Sequence, residues 1–128
     1  GFSTANPWLK VNPNYPRINV ARQRAEPDSV LAFYRKLIGL RRTEPALAYG
    51  RYEPLLARHR QVFAYVRRLG DARIMIVVNL SGRTARCRFT GGAPEYDGLL
   101  LANRVVAPHP ARAGMSLAAY EARVYRVG

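Results

Sequence analysis

The sequence predicts a mainly β fold led by an α segment: a loop and two helical pieces, then an antiparallel β-sandwich. Three observations predict it. A helical apolar stripe runs only as far as Arg42. From Tyr49 onward the apolar period becomes two-fold, with a continuously apolar run at Ile74 to Val78. The pairs Gly70-Asp71, Ser81-Gly82 and Gly91-Gly92 then cut this second part into short segments, the spacing expected of hairpin-linked strands.

Taken in order, the first nineteen residues, GFSTANPWLKVNPNYPRIN, carry neither period. Pro7, Pro13 and Pro16 fix φ and remove backbone donors, so no regular element runs through them. Phe2, Trp8, Leu9, Val11, Tyr15 and Ile18 make the segment too apolar for a disordered tail. Asn19 is placed to cap a short helical turn reaching Ala25, and Glu26-Pro27 interrupts it. Asp28 or Ser29 caps a second helix running to about Arg42. Val30, Leu31, Tyr34, Leu37 and Ile38 form its stripe, which Phe33 and Leu40 widen, and Arg41 and Arg42 suit its C-terminal dipole. Glu44-Pro45 ends it.

Six strands follow: Arg51 to Leu56, Val62 to Leu69, Arg73 to Leu80, Thr84 to Phe89, Asp97 to Ala102 and Glu121 to Val127. The Ile74 to Val78 run reads as a central strand buried on both faces. Ala85, Cys87 and Phe89 point one way and Arg86 and Arg88 the other. The expected core includes Phe63, Tyr65, Ile74, Ile76, Val78, Cys87, Val124 and Tyr125. The resulting division is residues 1–47 and residues 48–128.

Composition narrows the function classes. The 128 residues carry 21 basic and 8 acidic side chains, a net charge of +13. The basic residues are almost all Arg, scattered in pairs, with Lys only at Lys10 and Lys36, so a solvated surface is favoured over specific nucleic-acid binding. No apolar run approaches the roughly 20 residues of a bilayer span, so no membrane partner is expected. The only cysteine, Cys87, requires no oxidising compartment, and a cytoplasmic location is expected. One Cys with His59 and His109 does not make a closed metal site, and neither a metal nor a cofactor is expected.

Catalytic constellations are equally sparse. Glu26 and Glu44 precede prolines, Asp28 is a cap candidate, Asp71 sits in a turn, and Glu53 and Glu121 lie on strands beside basic neighbours as surface residues. Glu95 and Asp97, at i and i+2, are the only acids placed to share a strand face. Cys87 falls on an apolar strand side, His59 in a basic turn and His109 between two prolines. No catalytic residue is therefore assigned. Phe2, Trp8 and Tyr15 beside Asn6, Asn12 and Asn14 have a carbohydrate-contacting composition, although packing at a domain junction is the favoured reading.

The run GF-T-(three residues)-PWL-VNPNY-IN, followed by DSVLAFYRKLIGLRRTEPAL, AYGRYEPLL, VFAYVRR, MIVVNLSG and YEARVY, resembles the tail of glycoside hydrolase family 13, in its α-glucosidase and oligo-1,6-glucosidase branch. The resemblance implies that residues 1–47 are the last loop and final helix of a (β/α)8 barrel, and residues 48–128 an α-amylase-type C-terminal β-sandwich. It implies a retaining enzyme acting on α-glucosidic bonds of oligosaccharides, whose catalytic acids lie outside this chain. Phe2 and Trp8 would stand at the edge of its cleft. The implied partners are an α-linked gluco-oligosaccharide and the rest of the barrel. Without that barrel, the helix stripe is expected to repack on the β-domain, pair with another copy or aggregate, and the chain alone is expected to be inactive. A trehalose synthase or sucrose isomerase tail, or a stand-alone β-rich module binding sugar or nucleic acid, are the alternatives.

Overall fold

The computed structural model describes residues 4–89, 95–107 and 114–128. The chain forms two compact units, Gly1–Ile38 and Gly39–Gly128.

In the first unit, the proline-rich loop is held by its own asparagines. The Asn12 side chain accepts the Asn14 amide at 3.2 Å, and the Asn19 Nδ2 donates to the Tyr15 carbonyl at 2.9 Å. Helix α1, Val20–Ala25, starts as expected: Asn19 is its N-cap and accepts the Arg22 amide at 2.9 Å. Helix α2, Val30–Thr43, is capped by Ser29, whose Oγ accepts the Ala32 amide at 3.2 Å and donates to the Gln23 carbonyl at 2.7 Å. Gln23 Oε1 takes the Leu31 amide at 3.0 Å, so two orphan donors of the helix start are satisfied by side chains.

The second unit opens with the last turn of α2 and a third helix, α3, Pro45–Tyr49. The Glu44-Pro45 stop therefore only interrupts helical structure: proline at the first helical position costs no hydrogen bond and restarts it. The strands are β1 (Arg51–Pro54), β2 (Val62–Leu69), β3 (Ala72–Asn79), β4 (Ala85–Cys87), β5 (Tyr96–Ala102), β6 (Met115–Leu117) and β7 (Ala122–Val127). β1, β2, β3, β7 and β5 form one antiparallel sheet in that order, and β4 pairs with β6 in a second. The three-residue β6 escapes sequence reading because Met115-Ser116-Leu117 is too short to establish alternation. The Gly91-Gly92 turn lies outside the described residues.

The sandwich core lies between the sheets. Val62, Ala64, Val66, Met75, Val77, Tyr125 and Val127 of the large sheet meet Ala85, Cys87, Met115 and Leu117 of the small one. Tyr96 stands edge-on to Tyr125, centroids 5.0 Å apart, a contact worth about 0.5–1.5 kcal/mol beyond area burial. The other face of the large sheet carries a smaller cluster of Ala46, Ile74 and Val124, against which Leu40, Leu47 and Ile76 pack. The expected core is corrected here. Ile74, Cys87, Val124 and Tyr125 are buried, and Ile76, Val78 and Tyr65 are half-buried. Phe63 is 45% exposed, because the inward face of β2 is taken by Val62, Ala64 and Val66.

Candidate functional site

On the first unit the dominant surface feature is apolar. Trp8 is 93% exposed, and Leu9, Ile18, Val20, Val30, Tyr34 and Ile38 are each more than half exposed. The α2 stripe is thus presented to solvent over its first two turns, since Val30 and Tyr34 lie at i and i+4. Its cap and loop hydrogen bonds are made within residues 12–32, so the local conformation does not depend on covering that stripe. Phe2 lies outside the described residues.

Several of the acidic residues are held in ion pairs. Glu26 pairs with Arg22 at 2.8 Å on α1, and Glu53 with Arg68 at 3.3 Å across β1 and β2. Glu44 pairs with Arg126, tying the start of α3 to β7. Glu95 and Asp97 are both exposed, and both lie beside Gly128, where the β5–β7 register shifts between Tyr96 and Gly98. Retaining hydrolysis needs two carboxyl groups about 5 Å apart held around a substrate, whereas both of these acids are exposed. Among the described residues, no cluster of three or more His, Cys, Asp or Glu could hold a metal ion.

Three polar residues do more than the sequence suggested. Glu121 was expected on the surface of a strand, but it precedes β7 and is only 3% exposed. Its carboxylate accepts the Ala118 amide at 2.6 Å and the Arg123 Nε at 2.6 Å, and Arg123 also reaches the Ser116 carbonyl at 2.9 Å. Burial pushes the Glu121 carboxyl up, but the Arg123 and Ala118 donors and the nearby Arg123 and Arg104 charges outweigh it and hold it below its ordinary value. Asn79, 1% exposed at the end of β3, donates to the Arg83 and Ala118 carbonyls at 2.7 and 2.8 Å and accepts the Ser81 amide at 3.0 Å. His59 accepts the Val62 amide at Nδ1 (2.9 Å), which leaves Nε2–H to donate to the Arg86 carbonyl at 3.1 Å. It therefore joins the loop before β2 to β4. The only available signals were a polar residue ending an apolar run for Asn79 and the Glu-x-Arg spacing for Glu121.

Cys87 is 3% exposed; burial pushes its thiol up, more than the Met115 backbone hydrogen bond and the Arg123 charge bring it down. This is an inert core position, as its strand pattern predicted. His109 lies outside the described residues. No helix of the described residues is long and apolar enough to cross a membrane.

Residues 1–50 match the family model "Alpha amylase, catalytic domain". Over 98% of its length the chain is 38% identical to a probable oligo-1,6-glucosidase 3 of Bacillus subtilis (strain 168), covering 23% of that protein. It is 48% identical over 63% of its length to a glucan 1,6-alpha-glucosidase of Streptococcus pneumoniae serotype 4, covering 15% of it. Among solved structures, the isomaltulose synthase of Klebsiella sp. LX3 superposes with a TM-score of 0.92 at 35% identity, covering 100% of this chain and 23% of that one. A MutB mutant in complex with the substrate sucrose does so with a TM-score of 0.91 at 35% identity, with the same coverage. The chain thus spans about a quarter of the length of the relatives it matches from end to end.

Proposed function

We propose that this chain, a segment of the α-amylase family (glycoside hydrolase family 13), completes the barrel of an α-glucosidase-like enzyme and supplies its β-sandwich. Residues 1–47 are then the last barrel loop and final helix, and residues 48–128 the appended domain. The observation that carries this reading is the bare apolar stripe on α2, within the very region that matches a catalytic-domain family. A helix with Val30, Tyr34, Leu37 and Ile38 in water is a helix built to cover something.

In the intact enzyme, cleavage of a terminal α-glucosidic bond proceeds with retention. One carboxylate attacks the anomeric carbon, a second carboxyl protonates the leaving oxygen, and water then releases the glycosyl-enzyme intermediate. Both acids belong to the part of the enzyme outside this chain. Trp8 stands at the cleft edge and offers an indole face to a sugar ring. Sucrose isomerisation is the second reading, favoured by the likeness to isomaltulose and trehalulose synthases. The test is product analysis with a polypeptide extended upstream of Gly1, given isomaltose, maltose or sucrose. Glucose from isomaltose supports the glucosidase reading, and a rearranged disaccharide from sucrose supports the second. No turnover of any of the three overturns both. In that polypeptide, Trp8→Ala raises KM more than it lowers kcat.

A further inference from the structure

We infer that the end of the sandwich where β2 begins and β3 and β5 finish is a docking surface for a bilayer rich in anionic phospholipid. Arginines on its loops meet the lipid phosphates, and Val105 and Tyr120 enter the headgroup layer. The inference goes beyond the enzymatic reading and concerns residues of the second unit only.

The segments 55–61, 80–84, 103–107 and 118–121 converge at this end, because Val62 pairs with Asn79, Val78 with Ala122 and Ala102 with Arg123. Hydrogen bonds stitch them together. The Leu80 amide donates to the Gln61 carbonyl at 2.8 Å, and the Tyr120 amide to the Ser81 carbonyl at 3.1 Å. Gln61 Nε2 donates to Ser81 Oγ at 3.1 Å, and Asn103 Nδ2 to the Tyr120 carbonyl at 2.8 Å. The bond from His59 to the Arg86 carbonyl completes the rim. The surface is therefore ordered before a partner arrives, and binding costs little further ordering.

The fold gathers here what the sequence scatters. Arg58 and Arg60 come from the loop before β2, Arg83 from the turn after β3, Arg86 from β4 and Arg104 from the segment after β5. All five are exposed, and among the described residues none forms an ion pair. Glu121, the one acid of the second unit at this end, is taken by Arg123. Asp71 in the β2–β3 turn, and Glu95 and Asp97 beside Gly128, lie at the opposite end. Uncompensated cations gathered on one rim set up a local positive potential. Guanidinium forks match phosphate oxygens in two-point contact.

Two side chains decide between phosphate-bearing partners. Val105 is fully exposed and Tyr120 is 65% exposed. Tyr120 has φ 55°, the only positive φ of a non-glycine residue among the described residues. A bulky residue held there is strained, and the strain keeps its ring out on the rim. An aliphatic tip such as Val105 offers nothing to a nucleic-acid backbone. The boundary between headgroups and acyl chains accepts it, and a tyrosine suits the same layer. Adsorption of this kind needs no spanning run.

Co-sedimentation with lipid vesicles tests this, using the polypeptide extended upstream of Gly1. One vesicle holds equal parts phosphatidylglycerol and phosphatidylcholine, the other phosphatidylcholine alone. The expected result is binding to the first and not to the second, weakening as salt rises. Arg83→Gln and Arg104→Gln should each lower the partition coefficient about fivefold. Arg51→Gln, on β1 where it pairs with Arg68 toward the opposite end, leaves it unchanged. Val105→Ser lowers it without altering the circular dichroism spectrum, and so does Tyr120→Asn, since asparagine tolerates positive φ. Failure to bind the anionic vesicle overturns the inference. So does an equal loss from Arg51→Gln, which would mean diffuse charge. Binding that Val105→Ser and Tyr120→Asn leave intact, and that a nucleic-acid duplex displaces, would mean a phosphate seat without a membrane and overturns the lipid assignment. The readout requires no turnover, so it stands whether or not the extended polypeptide cleaves α-glucosides.

Discussion

Replacing Glu121 by Leu should destabilise the sandwich by about 3 kcal/mol, near the lower end of the range for breaking a buried ion pair. The pair is well enclosed, with side-chain exposures of 11% for Arg123 and 4% for Glu121, so solvent screening gives little relief. The substitution strands the Arg123 cation and leaves the Ala118 amide without its acceptor. Arg123 keeps the Ser116 carbonyl at 2.9 Å, and for that reason the lower end of the range applies. For a domain of this size, such a loss corresponds to a Tm lower by roughly 12–24 °C. Urea titration followed by circular dichroism measures it. The double variant Glu121→Leu/Arg123→Met removes both charges and should recover more than half of the loss. The pH sign follows from the lowered carboxyl. Its contribution is complete above the unfolded carboxylate value of about 4.3 and is lost as pH falls through the folded value. The double variant should therefore show a shallower decline of stability below about pH 4. If Glu121→Leu costs less than about 1 kcal/mol, or the double variant is no better than the single, the reasoning that this pair is a buried mutual dependency is refuted.

Asn79→Ala should cost about 3–4 kcal/mol by urea midpoint, because the Arg83 and Ala118 carbonyls and the Ser81 amide lose a common partner in a buried site. Gly50→Ala should destabilise by about 2 kcal/mol or more, since a Cβ there would collide with the Ala46 and Arg68 carbonyl oxygens. Gly39→Ala, inside α2 with open space around the added methyl, should stabilise the helix by about 0.5–1 kcal/mol, and thermal melts of both variants check the contrast. Tyr96, with its phenol pushed up to about 12 by burial first and by Tyr125 and Cys87 second, should contribute stability that is whole below about pH 10 and lost as pH rises through about 12. Tyr96→Phe should flatten that alkaline decline in a pH series of urea midpoints.

Much of this architecture was legible because it rests on repeated local signals. Asn19 and Ser29 cap their helices as their types and positions predict. The β2 strand ends at Val62 and Leu69 where alternation placed it, since eight residues give the two-fold period room to declare itself. The errors have equally specific causes. Phe63 was placed in the core on hydrophobicity, but alternation alone does not say which of two apolar faces turns inward, and the smaller Val62, Ala64 and Val66 won that position. Pro45 was read as a stop although its lack of an N–H also suits a helix start. The roles of Glu121, Asn79 and His59 depend on partners 2 to 39 residues away, many of them backbone groups in turns, which residue patterns encode poorly.

The most direct measurement is glucose release from isomaltose and p-nitrophenyl α-glucoside, run in parallel on purified 1–128 and on the polypeptide extended upstream of Gly1. The account predicts steady turnover by the extended polypeptide and none above buffer by 1–128. Turnover by 1–128 that survives repurification, and disappears when Glu95 or Asp97 is changed to its amide, would contradict it by placing the catalytic acids on this chain.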